Sequence, residues 1–403
     1  MTQLAKLRSE LDEARSRTDR MFGLISAHAM YERPIPERHR LIFYLGHLEA
    51  FDWNQICRGT LGLPSFQPSF DQLFEAGIDP SEGNLPNDQP YDWPTITEVQ
   101  RYNARVREAV DRVLGSAPEG IIHVAIEHRL MHAETNAYLL HHLDPKYKQS
   151  PSDSLLLSGE TPREEMVDIS EGMATLGRQP DDGFGWDNES GRHEVQVPAF
   201  SISRYKVTNQ QYLRFVQEGG DPPAFWVLRG DGWCLRTMFR EVPLPLSWPV
   251  YVTYRQAQAY ADWMGMVLPT EAQFHRAAFG TPSGVERPYP WGDERPGVEH
   301  GNFDFQGWDP VPVTARSHGK SGFGVAQLVG NGWEWTSTLF HPFSGFSPLP
   351  TYPGYSARFF DQDHYVVKGG GPVTASRLLR RSFRNWFRQS YPYAHIAFRC
   401  IHN

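Results

Sequence analysis

The feature that most limits how this 403-residue chain can fold is one abrupt change of rhythm. As far as His142, apolar residues recur three and four apart, the period of helices that bury one stripe. From Met166 onward that period is gone, and short segments alternate with Gly, Pro, Asn and Asp turns. A chain that changes period once, and is this long, calls for two cores. The polar, proline-punctuated stretch 144–165 (DPKYKQSPSDSLLLSGETPREE) reads as the join, giving expected domains 1–150 and 160–403.

Before the join, residues 2–28 carry Leu4, Leu7, Leu11, Ala14, Met21 and Leu24 at helical intervals. Pro34 and Pro36 break the chain, and 37–57 is again helical by length and period. The stretch 59–87, rich in Pro, Gly, Ser and Asp, reads as a long loop. A third helix is expected over 95–114, opening on Thr95 with Glu98 three residues on, a capping-box pair. A fourth covers 121–142, without Gly or Pro. Four such helices with one long connection predict a four-helix bundle.

The fourth helix carries the chemistry. His128 and His132 are four apart, so both imidazoles leave one face a turn apart, and Glu134 completes an H-x3-H-x-E pattern. Metal ligation and a histidine-rich surface helix both accommodate that spacing, since His123, His141 and His142 lie in the same helix. Bundle cores assemble metal sites from facing helices. His47, in YLGHLEAFDW, is the third candidate ligand, with a hydrogen-bonded core histidine as its other reading.

Composition excludes several classes. The apolar fraction of 40%, the charged fraction of 21% and the net charge of -8 are those of a globular protein without a basic track for phosphates, so no nucleic-acid partner is expected. No apolar run approaches membrane-spanning length, and the first 20 residues read as a charged amphipathic helix rather than a secretory signal. Cys57, Cys234 and Cys400 are odd in number and far apart, so the reducing cytoplasm is the expected compartment. Most of the 12 Trp lie after residue 180, which predicts a loop-dominated α+β domain stabilised by burying indole rings.

The second half resembles the formylglycine-generating-enzyme (sulfatase-modifying factor) domain, a C-type-lectin-like fold with little regular secondary structure. The resemblance rests on FGWDNES (184–190), YKVTNQQYLRF (205–215), LPTEAQFHRAAFG (268–280), YPWGDE (289–294), LVGNGWEWTSTLF (328–340), VVKGGG (366–371) and RRSFRNWF (380–387). The first half resembles the DinB-like helical bundle through GHLEAFDW and H-x3-H-x-E. This fusion, in this order, resembles the ergothioneine sulfoxide synthase family, with ovothiol-type and selenoneine synthase relatives.

That resemblance implies iron(II) held by His47, His128 and His132 at the seam of the domains, with Glu134 orienting a histidine. It implies O2-dependent formation of a C–S or C–Se bond at the imidazole C2 of hercynine (trimethylhistidine), the partners being small molecules: hercynine, a thiol or selenol donor, and O2. Asn385 and Trp386 match positions that hold the hercynine carboxylate. A tyrosine is the proton donor, with Tyr352 and Tyr355 as the candidates and packing as the other reading of each. Trp333, Trp335 and Phe387 are aromatic candidates to face the trimethylammonium group, with core packing as the other reading of all three, Trp333 and Trp335 foremost. Arg380, Arg381, Arg384 and Arg388 are candidates for an anionic part of the donor, one or two of them being structural.

Three features bear on which chemistry this chain runs. Formylglycine-generating enzymes bind copper through a closely placed cysteine pair late in this domain, and no cysteine stands near 333–384. Phe387 stands where mycobacterial-type members carry an aspartate that helps to hold γ-glutamylcysteine. Phenylalanine cannot pair with an ammonium, so cysteine or a seleno- or thio-sugar is the favoured donor. GGGPVTA (369–375) replaces the commoner GGSWAT, so Gly371-Pro372 either enlarges the donor site or varies a loop. The readings outside this activity are an ovothiol-type synthase acting on histidine and a non-catalytic binding protein on the same two folds.

Overall fold

The computed structural model describes residues 2–75, 85–150 and 156–402. The chain divides into two compact units, Met1–Ser154 and Leu155–Asn403.

The first unit is helical. Its long helices are α1 (Gln3–Phe22), α2 (Leu41–Asp52), α4 (Ile96–Val113) and α5 (Glu119–His142), with the short α3 (Pro68–Leu73) between the second and third. The expected Thr95/Glu98 capping box is formed: the Thr95 hydroxyl accepts from the Glu98 N–H, and the Glu98 carboxylate accepts from the Thr95 N–H at 2.8 Å. Helix α2 does not end with its α-helical bonds but runs on as a π-helix over Trp53–Thr60. The stretch 59–87, expected to be loop throughout, contains α3; its residues 76–84 lie outside those described. The proline that opens α3 sits in its first turn, where the missing N–H costs nothing.

Helix α5 is not amphipathic: 18 of its 24 residues are buried, polar ones included. A helix buried on almost every face is the central one of its bundle. It packs against α1 and α2, while α2 also packs on α4.

In the second unit, three short helices, Asn209–Gln217, Tyr254–Trp263 and Glu271–Phe279, each open with the same Thr-x-x-Gln box: Thr208/Gln211, Thr253/Gln256 and Thr270/Gln273. The remainder is short strands. The strand Phe200–Ser203 lies between Met166–Ile169 and Ile401–His402, so the two ends of the unit meet in one sheet. A four-stranded sheet runs Asn385–Arg388, His364–Lys368, Trp333–Leu339, Ile396–Ala397. Trp186, Trp248, Trp333 and Trp335 are among the largest fully buried side chains, and the Trp248 and Trp335 indole N–H groups donate to the carbonyls of Leu157 (2.8 Å) and Val252 (2.9 Å). Core packing is therefore the role of Trp333 and Trp335.

The GNGWEW motif now has a physical reason. Gly330, Asn331 and Gly332 all have positive φ (87°, 61° and 119°), and a Cβ on Gly332 would come within 2.7 Å of the Tyr251 ring. The Asn331 amide donates to the carbonyl of Val311 and accepts from its N–H, tying the turn to a neighbouring loop. Beyond the turn, Glu334 is fully buried between Lys206 (2.5 Å) and Arg399 (2.6 and 2.8 Å). Glu334→Gln leaves two buried cations without their counter-charge and is expected to destabilise the protein by about 3–5 kcal/mol, read as a lowered urea midpoint.

Candidate metal centre and aromatic cluster

Helix α2 presents His47 and helix α5 presents His128 and His132 to one buried point. The three side chains are 2–3% exposed, and one ligand nitrogen from each lies within 4.8 Å of the others. The Nε2 atoms of His47 and His132 are 3.2 Å apart. Metal–imidazole bonds of roughly 2.0–2.1 Å put two adjacent ligands about 3 Å apart, so this separation fits a shared ion. Among the described residues, these three are the one His/Cys/Asp/Glu group so arranged.

The tautomers point the same way. His47 Nδ1–H donates to the Phe74 carbonyl at 2.6 Å, which leaves the lone pair on Nε2 facing His132. Phe74 follows directly on α3, the helix that sequence reasoning missed. Burial holds the His47 imidazole down at about 4, and burial likewise holds His128 and His132 well below the usual histidine range. Neutral imidazoles are what a metal requires. His132 Nδ1 is buried with no hydrogen-bond partner among the described residues. Phe51 stacks on His128 (centroids 3.4 Å, 7°) and Phe43 on His47 (4.9 Å, 19°), so both rings are clamped in orientation. The Glu134 carboxylate accepts from the Tyr138 hydroxyl one turn along α5. His123 and His142 are half-buried and His141 is buried, outside the cluster.

One signal in the sequence could have located the Phe74 contact: Gly46, a glycine inside a helix and next to a ligand. A Cβ there would come within 2.5 Å of the Phe74 ring.

In the second unit, Tyr355 is buried and stacks on Trp186 (4.1 Å, 23°), with its edge against Trp386 (5.3 Å, 80°). Tyr352 is half-buried, its ring 6.0 Å from that of Tyr355. Trp386 lies flat on Phe340 (4.2 Å, 8°). The pleat of the strand Asn385–Arg388 sends Asn385 and Phe387 to one face, and Trp386 and Arg388 to the other. Asn385 Oδ1 accepts from the Trp386 backbone N–H at 2.9 Å, leaving its NH2 as donor. Phe387 stacks on Tyr391 (5.3 Å, 21°).

The arginines divide. Arg384 is 2% exposed, bonded to Glu271 at 3.0 and 3.2 Å and to the carbonyls of Asn188 and His341. These partners lie within the fold, which is the structural role expected for one or two of these arginines. Arg380 pairs with the buried Glu189 and Arg381 with Glu286 at 3.1 Å, while Arg388 is half-buried on its strand. Cys234 and Cys400 are unpaired, and burial pushes the Cys400 thiol up to about 12.

Two outcomes are expected. Gly46→Ala gains about 1 kcal/mol of helix propensity but forces the Phe74 ring aside at a cost of about 1–3 kcal/mol; it should lower both the urea midpoint and the metal occupancy. The metal-free protein should also lose stability in acid. The His47 pKa of about 4 lies below its ordinary 6.5, so its contribution is complete above pH 6.5 and lost as pH falls from 6.5 to about 4. That loss is roughly 3 kcal/mol, with His128 and His132 acting in the same direction. Urea midpoints measured across this window, for wild type and His47→Gln, check it; equal slopes would count against the assignment.

Comparison with known proteins agrees with this two-part construction. The DinB superfamily model matches residues 10–142, and the sulfatase-modifying factor enzyme 1-like domain matches 155–403. The chain is 32% identical to the hercynine oxygenase of Mycolicibacterium thermoresistibile, over 95% of this chain and 91% of that protein. It is 31% identical to the hercynine oxygenase of Mycobacterium tuberculosis, over 99% and 98%. Ergothioneine biosynthesis protein 1 of Neurospora crassa is 28% identical over 94% of this chain, which spans about half (55%) of that relative's length. With a DinB-type helical unit followed by a sulfatase-modifying-factor-type unit, matched to the hercynine oxygenases almost end to end, this chain belongs to the hercynine oxygenase family.

Proposed function

We propose that the protein is an iron(II)- and O2-dependent oxidoreductase that joins sulfur or selenium to the imidazole C2 of hercynine, in ergothioneine or selenoneine biosynthesis in the cytoplasm. The observation that carries this reading is the buried cluster of His47, His128 and His132, whose ligand atoms are all neutral imidazole nitrogens, in a chain of this family. Imidazoles suit iron(II), and three protein ligands leave positions open. The metal, when bound, would supply the redox centre at which donor and O2 meet.

The chain's own residues have the remaining tasks. Asn385 NH2 and the Trp386 indole N–H, neither hydrogen-bonded among the described residues, are donors suited to the hercynine carboxylate. Of the two tyrosines, Tyr355 is held by Trp186 and Trp386 and is the better oriented proton donor, while Tyr352 is the more accessible. Phe387, stacked on Tyr391, presents an apolar face where an ammonium would need a carboxylate. That favours cysteine or a seleno- or thio-sugar over γ-glutamylcysteine, with Arg388, on the same strand, as a candidate for an anionic part of the donor. Gly371-Pro372 is part of the same specificity reading.

Purified without oxygen, the wild type should hold one iron(II) per chain, and His128→Ala and His132→Ala should each lose it, as measured by metal analysis. Stoichiometric iron absent from the wild type would sink the enzyme reading in favour of a binding protein. With hercynine, O2 and iron(II), mass spectrometry should detect a coupled product from cysteine or a seleno-sugar; a product from γ-glutamylcysteine alone would overturn the role given to Phe387. Coupling to histidine in place of hercynine would mark an ovothiol-type enzyme.

A further inference from the structure

One group of buried charges has no part in the chemistry above. Arg129, next to His128 on α5, reaches across to α2. Its two terminal nitrogens bond the two carboxylate oxygens of Glu49 at 3.0 and 2.9 Å, and one of them also bonds Asp52 at 2.7 Å and the Leu48 carbonyl at 3.0 Å. Glu49 is two residues from His47. The Arg129, Glu49 and Asp52 side chains are 1%, 1% and 0% exposed. Arg107 of α4 joins them, with its Nε 2.9 Å from Glu49, and binds Asp19 of α1 at 2.7 Å. All four long helices therefore converge on this knot.

We propose that Arg129, with Glu49 and Asp52, is a positioning device for the metal centre: it sets the register of α2 against α5 so that the ligand atoms of His47, His128 and His132 meet. The inference rests on the metal reading given under Proposed function.

Stability alone does not explain the knot. Burying charges carries a large desolvation cost, and well-packed apolar replacements of such clusters are often as stable or more so. The attested use of a buried ionic group is to specify register. Apolar contacts across the same interface, such as Phe51 on His128, orient a ring but do not by themselves fix the axial register of two helices. A bidentate fork tolerates little. Each residue of slip along a helix moves a ligand by about 1.5 Å, whereas a binding constellation needs its atoms held to roughly 0.5 Å. The knot grips α2 at Leu48, Glu49 and Asp52 and α5 at Arg129, immediately beside the ligands, so any slip that parts the His47 and His132 nitrogens must first break it.

The sign of one effect separates positioning from simple electrostatics. Arg129 is a cation beside a cation site. Removing its charge would strengthen metal binding if only the field mattered, and weaken it if geometry does.

The test compares wild type with Arg129→Met, Arg129→Lys and the uncharged Glu49→Gln/Asp52→Asn/Arg129→Met, using anaerobic chelator competition for iron(II) and the visible ligand-field bands of the cobalt(II) forms. Far-UV circular dichroism monitors the fold. Folded variants should bind iron(II) about 10–100-fold more weakly, the range for residues that orient metal ligands, with shifted cobalt bands; the sign of the field is read on Arg129→Met, because the triple variant also removes two carboxylates, and Arg129→Lys should recover only part of the loss. A folded variant that binds like wild type with unchanged bands, or one that binds more tightly, overturns the proposal. So does failure of all three to fold, which would make the knot a determinant of folding instead. Wild type that binds neither metal would overturn the metal reading itself, a distinct outcome.

Discussion

Desolvation is the constraint on which the helical unit depends. Its central helix is buried on nearly all faces, yet carries three buried imidazoles (His128, His132 and His141) and a guanidinium that would be better solvated outside. A buried charge needs compensation within a few ångströms. Arg129 finds it in Glu49 and Asp52, and on the facing helix α2 the His47 N–H finds an acceptor in the Phe74 carbonyl. The imidazoles of the cluster answer burial by staying neutral, and neutrality is the state in which they can bind a metal. The same energetic pressure that makes the cluster costly to bury also prepares it chemically.

The second unit solves a related problem by different means. With little regular structure, it ties its loops with buried ion pairs and satisfied indoles: Glu334 between Lys206 and Arg399, Arg384 on Glu271, Trp335 on the Val252 carbonyl. Residues whose types suggest ligand binding are largely taken up by this framework. Asn385 and Trp386, whose side-chain N–H groups bond nothing among the described residues, lie with Phe387 and Arg388 on one short strand. The framework consumes most of the arginines, which narrows the residues able to recognise substrate.

Much of the fold was legible because it is written locally. The period of the first half, the Thr95/Glu98 cap and the Trp- and Gly-rich punctuation of the second each depend on neighbours within a few positions. The GNGWEW turn is of the same kind, since positive φ at three successive residues admits few side chains. Helix α3 was not legible: six residues opening on proline inside a Gly- and Ser-rich stretch have too little periodicity to register. The contact of Phe74 with His47 was therefore out of reach, although Gly46 left a trace of it.

What the sequence by itself determined is the pair His128 and His132 on one helical face, the two-unit division and the family signature, since helical spacing and motif order need no partner to be read. What only the tertiary structure decided is pairing at a distance. His47 meets His132 across 85 positions, Arg129 meets Glu49 across 80, and Arg384 meets Glu271 across 113. A run such as RRSFRNWFR shows four arginines of equal standing; which of them is spoken for depends on where the fold delivers a carboxylate. Charge is local to a residue, but its availability is settled by the partner that burial forces upon it.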